Sequence, residues 1–169
     1  RADARPDTAP LIYPMHFCKG WIEWPKTHPR KMNHFSCTAE SYKRLIPGSV
    51  YVLVKRFSAK EETRRIVAAV FDPARVPTQH VALENHLNYY HVKGGELALD
   101  LAKGLAAFLN STLVDAYFRQ FNGHTQVNAT DLRSLPYPGR TELQRLGQKI
   151  GSDFPPQTEL DNLIFKELF

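Results

Sequence analysis

The sequence predicts an α+β chain: a mixed, mainly antiparallel β region over about residues 10–95, followed by packed α-helices over about 96–169. Three observations carry this. Six of the twelve prolines fall between Pro6 and Pro47, which suits turns and edge strands and excludes helix interiors. Two short runs, "YVLV" (51–54) and "IVAAVF" (66–71), are almost continuously apolar and rich in β-branched residues, the pattern of strands buried on both faces. After Gly95 the apolar spacing changes from strand-like to helical.

Along the chain, "LIYPMHF" and "WIEW" read as short β pieces between prolines, and "IPGS" (46–49) as a turn. The two apolar runs follow, and then a third β region, "HVALENHLNYYHVKG" (80–94). In "ELALDLAKGLAAFL" (96–109), Leu97, Leu101, Leu105 and Phe108 share one helical face. Ser111 or Asn110 is placed to cap a second helix, "TLVDAYFRQF". "NGHTQ" (122–126) is a loop, Asn128 opens a short helical turn, and "LPYPG" (135–139) ends it. Two amphipathic segments close the chain, 141–151 and 156–169. The second carries Leu160, Leu163, Ile164 and Leu168 on a stripe free to dock on another domain or a second copy.

The 169 residues suit one domain, with 1–9 expected as a flexible link and 140–169 as a C-terminal helical extension. The composition, 43% hydrophobic and 23% charged, is that of a globular chain. No stretch approaches the roughly 18 apolar residues of a membrane span. The first residues hold neither a signal core nor an initiator Met, so the chain reads as part of a longer protein. Two cysteines are too few for a disulfide framework, and a reduced, cytoplasmic setting fits.

Charge is unevenly spread. Residues 1–65 carry 13 Lys and Arg against 6 Asp and Glu, whereas 66–169 carry 9 against 11. Such asymmetry points to a polyanionic partner. The densest stretch is "KRFSAKEETRR" (55–65), in the join between the two apolar runs. No phosphate loop, dinucleotide fingerprint, nucleophile elbow or zincin motif occurs. His16, Cys18, His34 and Cys37 match no common zinc spacing, and Asp72, Glu84 and Lys93 lack the spacing of a nuclease carboxylate cluster. The sequence therefore offers no catalytic residue and no metal ligand.

Three blocks, "YVLVKRFSAKEETRRIVAAVFDP" (51–73), "ENHLNYYH" (84–91) and "FLNSTLVDAYFRQFNGHTQVNATDLRSLPYP" (108–138), together resemble the C-terminal target recognition domain of type II adenine-N6 DNA methyltransferases. The last block is also similar to the closing segment of recognition domains in type I restriction specificity subunits. The resemblance covers roughly residues 10–140. It implies a fragment that reads double-stranded DNA for an enzyme of a restriction-modification system. The catalytic domain would lie upstream, with S-adenosylmethionine as its cofactor. Neither the F-x-G-x-G-like cofactor motif nor Asn-Pro-Pro-Tyr occurs here, so the resemblance assigns no cofactor and no methyl transfer to this chain. The alternative is an assembly domain of a restriction-modification complex, with no direct base readout.

On the DNA reading, Lys55, Lys60 and Arg64 suit phosphates, while Arg56 and Arg65 suit bidentate contacts to guanine. Ser58 and Glu61 form a capping-box pattern, so the basic segment is expected to begin with a helical turn. Strand alternation puts Glu84, His86, Asn88 and Tyr90 on one face, where Glu84, His86 and Asn88 offer base-reading groups. His124, Thr125 and Gln126 form the third candidate. Gln126 and Asn128 are equally suited to fastening that loop. Trp21 and Trp24 are expected in the core.

Overall fold

The computed structural model describes residues 7–169. Its strands come first: β1 (Thr8–Ile12), β2 (Phe17–Cys18), β3 (Trp21–Ile22), β4 (His34–Ser36), β5 (Ile46–Pro47), β6 (Tyr51–Lys55), β7 (Ala68–Phe71), β8 (His80–Leu83) and β9 (Leu87–Tyr90). The helices follow: α1 (Leu99–Leu109), α2 (Thr112–Phe121), α3 (Ala129–Arg133), α4 (Arg140–Gln148) and α5 (Gln157–Leu168). The strands form two sheets, ordered β4-β1-β8-β5 and β2-β3-β7-β6-β9. Pairing is antiparallel except between β1 and β8 and between β3 and β7. The chain is thus α+β, with a mixed, mainly antiparallel β region ahead of the helices. Of the nine residues expected as a link, 1–6 lie outside the described residues, and Thr8 and Ala9 already belong to β1.

The apolar runs are explained by two cores, one on each side of the five-stranded sheet. Val52, Val54, Ala68 and Val70 face α1 and α2. Tyr51, Leu53, Ala69 and Phe71 face Ile12 and Val81 of the other sheet. Period-2 alternation is therefore present in β6 and β7, but both faces are apolar because both are covered. The expected third β region is two strands in different sheets. β8 pairs with β1 and β5, and β9 pairs with β6. The chain crosses between them at Glu84–His86, where the Glu84 carboxylate accepts a hydrogen bond from His86 N at 2.9 Å.

Asn110 and Ser111 divide the work between α1 and α2. Ser111 Oγ accepts from Val114 N and caps α2. The Asn110 amide makes a two-bond clasp on Ala68, accepting from its N–H and donating to its C=O. α1 begins at Leu99, with Leu97 buried just ahead of it. Helix α1 is buried almost all round, because α4 and α5 cover the side facing away from the sheet. At the α1–α4 crossing a Cβ on Gly104 would stand 1.7 Å from Leu143 O, and one on Gly147 would stand 1.6 Å from Asp100 O. Residues 140–169, expected as a C-terminal helical extension, pack on α1 through α4 and α5. The stripe of α5 is likewise covered: Leu160 and Ile164 are buried against Ala107, Leu146 and Ile150.

His16 is a core residue. It is fully buried, its Nδ1 accepts from Tyr13 N, and its Nε2 lies 2.9 Å from Asn33 Oδ1. With Nδ1 accepting, the proton sits on Nε2, and the neutral ring is satisfied. Burial, with Lys26 and Lys31 nearby, holds its pKa below the usual imidazole range against the opposing Asn33 contact. The unfolded chain therefore binds this proton more readily than the folded one. Stability from His16 is complete above the ordinary imidazole pKa of about 6.5 and is lost as the pH falls below it. Urea midpoints at pH 7.5 and 5.5 are expected to differ in wild type and to converge in His16→Gln. An equal drop in both would remove His16 as the cause.

Candidate nucleic-acid interface

The strand and loop connections bring the three candidate segments together at one edge of the five-stranded sheet. Beyond β6 the chain continues pairing irregularly. Arg56 N donates to His86 O, Val127 N donates to Arg56 O, and Ser58 N donates to Thr125 O, with Phe57 bridged to Gln126. Asn88 Nδ2 donates to Val127 O at 2.8 Å. Segments 55–60, 84–88 and 122–127 thus form one surface. Positions some 30 to 70 apart in sequence become neighbours through main-chain hydrogen bonds.

At this edge Lys60, His86, His124, Thr125 and Gln126 are exposed, while Lys55, Arg56 and Asn88 are half-buried. Lys60 Nζ lies 4.0 Å from where a Cβ on Gly123 would stand, so the lysine leans over the 122–126 loop. Phe57 is 41% exposed, with the Arg56 guanidinium 5.8 Å and the His86 ring 5.1 Å from its ring centroid. An exposed aromatic ring between a cation and an imidazole offers a face on which a planar group can stack. Phe57 was not among the sequence candidates, which were charged and polar side chains. Its signal is its place between Arg56 and Ser58, just beyond the continuously apolar run.

The basic segment does not begin with the expected helical turn, and four of the expected contact residues are engaged within the protein. Ser58 is 2% exposed and caps no helix; its Oγ donates to Arg65 O at 2.7 Å, and the segment runs through a turn at Lys60–Glu61. Arg65 is 1% exposed, so its guanidinium is not presented to a ligand in this conformation. It donates to Ser58 Oγ, to Asn122 O and Oδ1, and to His124 O, over the face of Phe118. Arg64 turns away from the edge. Its Nη1 donates to Asn110 O at 2.8 Å, and burial lowers its pKa. Glu84 is occupied by its own corner, paired with His86 Nδ1 at 2.7 Å as well as with His86 N.

The loop at 122–126 is fastened by Asn122 rather than by the side chains of Gln126 and Asn128. Asn122 Oδ1 accepts from His124 N, and Nδ2 donates to Gln126 O and Asp131 Oδ2. Asp131 Oδ2 also accepts from Asn128 N, closing the start of α3. Arg119, on α2, pins the basic segment. It pairs with Asp115 at 2.8 Å and donates to Lys60 O and Glu62 O. The Asp115–Arg119 spacing of four is the sequence signal for that pair. Among the described residues no group of three or more His, Cys, Asp or Glu side chains is placed to hold a metal ion, and no helix is long and apolar enough to cross a membrane.

The chain is similar to the type II methyltransferase M.PstI of Providencia stuartii, with 44% identity over 162 residues, 96% of this chain and 32% of that protein. It is also similar to the type II methyltransferase M.BsuBI of Bacillus subtilis, with 50% identity over 159 residues, 93% of this chain and 32% of that protein. The chain spans about a third of the length of these curated relatives. No family model matches it, and no solved structure matches it.

Proposed function

We propose, from the similarity to type II methyltransferases, that this chain is the target recognition domain of a cytoplasmic, adenine-N6-specific DNA methyltransferase of a restriction-modification system. In this reading it holds and reads duplex DNA beside a catalytic region supplied by the rest of the enzyme. The observation that carries it is the convergence of 55–60, 84–88 and 122–127 on one exposed, cationic edge. Lys55 and Lys60 neutralise phosphates there and set the register. Arg56 is the guanidinium able to reach a guanine edge, and Thr125, Gln126 and His86 supply further polar contacts. Asn88 acts from behind, holding Val127 O and so the loop. S-adenosylmethionine belongs to the catalytic region: neither of its usual motifs occurs in this sequence, and these residues carry no step of methyl transfer.

The test is selection of bound duplexes from a random pool by this domain at low salt, followed by affinity against salt. A short enriched consensus is expected. Lys60→Gln should weaken all duplexes evenly and reduce the slope of log affinity against log salt by about one. Arg56→Gln should relax one position of the consensus, at about 1–3 kcal/mol of lost discrimination. Absence of salt-sensitive binding would overturn the proposal.

A second reading, as an assembly domain, has one observation in its favour. Leu113, Tyr117 and Phe121 lie four residues apart on α2 and are 40–50% exposed, and Phe165 and Phe169 are 70% and 78% exposed at the end of α5. Failure to bind DNA with retained binding to another subunit of the system would select it.

A further inference from the structure

Arg64, the cation that leaves the DNA-facing edge, enters a different surface. A cleft of about 680 Å³ lies beside β2 and β3, bounded on its far side by the Phe154–Gln157 loop. Lys19, Arg64 and Arg75 line it. In the five-stranded sheet β2 is one edge and β9 the other, so the cleft and the β9 edge lie at opposite ends of the strand order.

No cation of the cleft forms an ion pair among the described residues, and the two carboxylates that act on Arg64, Asp115 and Asp161, lie outside the lining. Arg64 donates to Asn110 O and Arg75 to Ser152 O, both neutral main-chain acceptors. Of the acids in the lining, Glu23 is paired with Lys26 at 3.6 Å, and Asp153 is exposed. The Arg75 guanidinium lies 3.7 Å from the ring centroid of Trp21 and is fixed over it. Trp21 also lines the cleft and is 5% exposed, and its indole Nε1–H is buried with no acceptor. A buried donor left unpaired costs about 1–3 kcal/mol, and native structures rarely leave one without a purpose. One half-buried guanidinium (Arg64), one exposed guanidinium stacked on Trp21 (Arg75) and a buried indole N–H without an acceptor behind it are matched by a ligand that is anionic and only accepts hydrogen bonds.

We infer that this cleft is an oxyanion site that binds a phosphate group, with Arg64, Arg75 and Lys19 as its cations. The phosphate belongs either to a DNA backbone or to a free phosphate-bearing molecule. The site is independent of base reading at the β9 edge.

The test begins with wild-type protein and inorganic phosphate, read by the two indole N–H resonances. Trp24 Nε1 already donates to Asn33 O at 2.8 Å, so it serves as the internal control. The Trp21 resonance is expected to shift saturably while Trp24 stays in place, with chloride at equal ionic strength having no such effect. A flat Trp21 resonance, or equal shifts with chloride, overturns the inference. The variant pair is Lys19→Asn with Arg75→Gln. Asn is chosen because Lys19 has φ of 48°, a conformation Asn tolerates. The pair should weaken phosphate binding about tenfold or more, since two charge-assisted contacts are lost. Unchanged phosphate affinity in a folded double variant also overturns it. A duplex salt slope reduced by about two in the double variant names the DNA backbone as the source. An unchanged slope with phosphate binding lost names a free phosphate-bearing ligand. Arg56→Gln should leave the phosphate response intact, which separates this site from the β9 edge.

Discussion

Arg65→Met is expected to destabilise the fold by about 3 kcal/mol or more, although the substitution removes a residue from the most basic stretch of the chain. The guanidinium is 1% exposed and serves acceptors from three places: Ser58 Oγ in its own segment, Asn122 O and Oδ1 after α2, and His124 O in the loop. Methionine fills similar space but donates nothing. Each buried acceptor left without a donor costs about 1–3 kcal/mol, and loss of the desolvated charge offsets part of that sum. Arg65→Lys should restore little, because one ammonium group does not reproduce the planar fork that spans these acceptors. Urea unfolding measures the effect as a lower midpoint at unchanged slope. Arg56→Gln in the same assay should stay within about 0.5 kcal/mol of wild type, as a half-exposed surface substitution does. A stability loss confined to Arg56 variants would reverse the roles given to the two arginines.

Gly147→Ala carries the other large expected effect. The added Cβ would stand 1.6 Å from Asp100 O, and Gly104 N is 2.9 Å away. These are main-chain atoms inside α1, so no side chain is free to swing aside. The helices must separate, and separation opens the small core of Ala107, Leu146, Ile150, Leu160 and Ile164. Overpacking costs typically 1–3 kcal/mol; here the obstruction is backbone, so a loss of about 3 kcal/mol or more is expected. Gly104→Ala, blocked at 1.7 Å by Leu143 O, should match it. Gly151→Ala is the control, since nothing lies within 4 Å of its Cβ position. Thermal unfolding of the three variants orders them. Equal midpoints for Gly147→Ala and Gly151→Ala would contradict the close crossing of α1 and α4.

The basic segment shows where legibility ends. Its position between two core strands, its charge and its exposed tip were readable from 55–65. Its division was not. Arg56 and Lys60 stay at the β9 edge, Arg64 turns to the opposite cleft, and Arg65 folds inward. Charge pattern describes a stretch, while burial is decided by what packs against each side chain, here α2, the 122–126 loop and Asn110. The single strand read across Glu84 to Tyr90 was interrupted for a related reason. Period-2 alternation assumes one continuous strand, and the chain leaves one sheet for the other between them. The α5 stripe was visible as a stripe, but its partner, α4 and the back of α1, is remote in sequence.

By itself the sequence determined the α+β order, the two doubly buried strands, a cap at Asn110 or Ser111, the start of α3 at Asn128 and the surplus of cations in the first 65 residues. These are local matters: rotamer and backbone preferences, capping geometry and apolar period act over a few residues. Only the tertiary structure decided which arginine is a buried tie and which faces solvent. It also decided that three separate segments make one edge, and that Gly104 and Gly147 meet. Those outcomes depend on contacts closed across tens of residues, where the same side chain is stabilising or costly according to the acceptors, carbonyls and apolar surface that arrive from elsewhere in the chain.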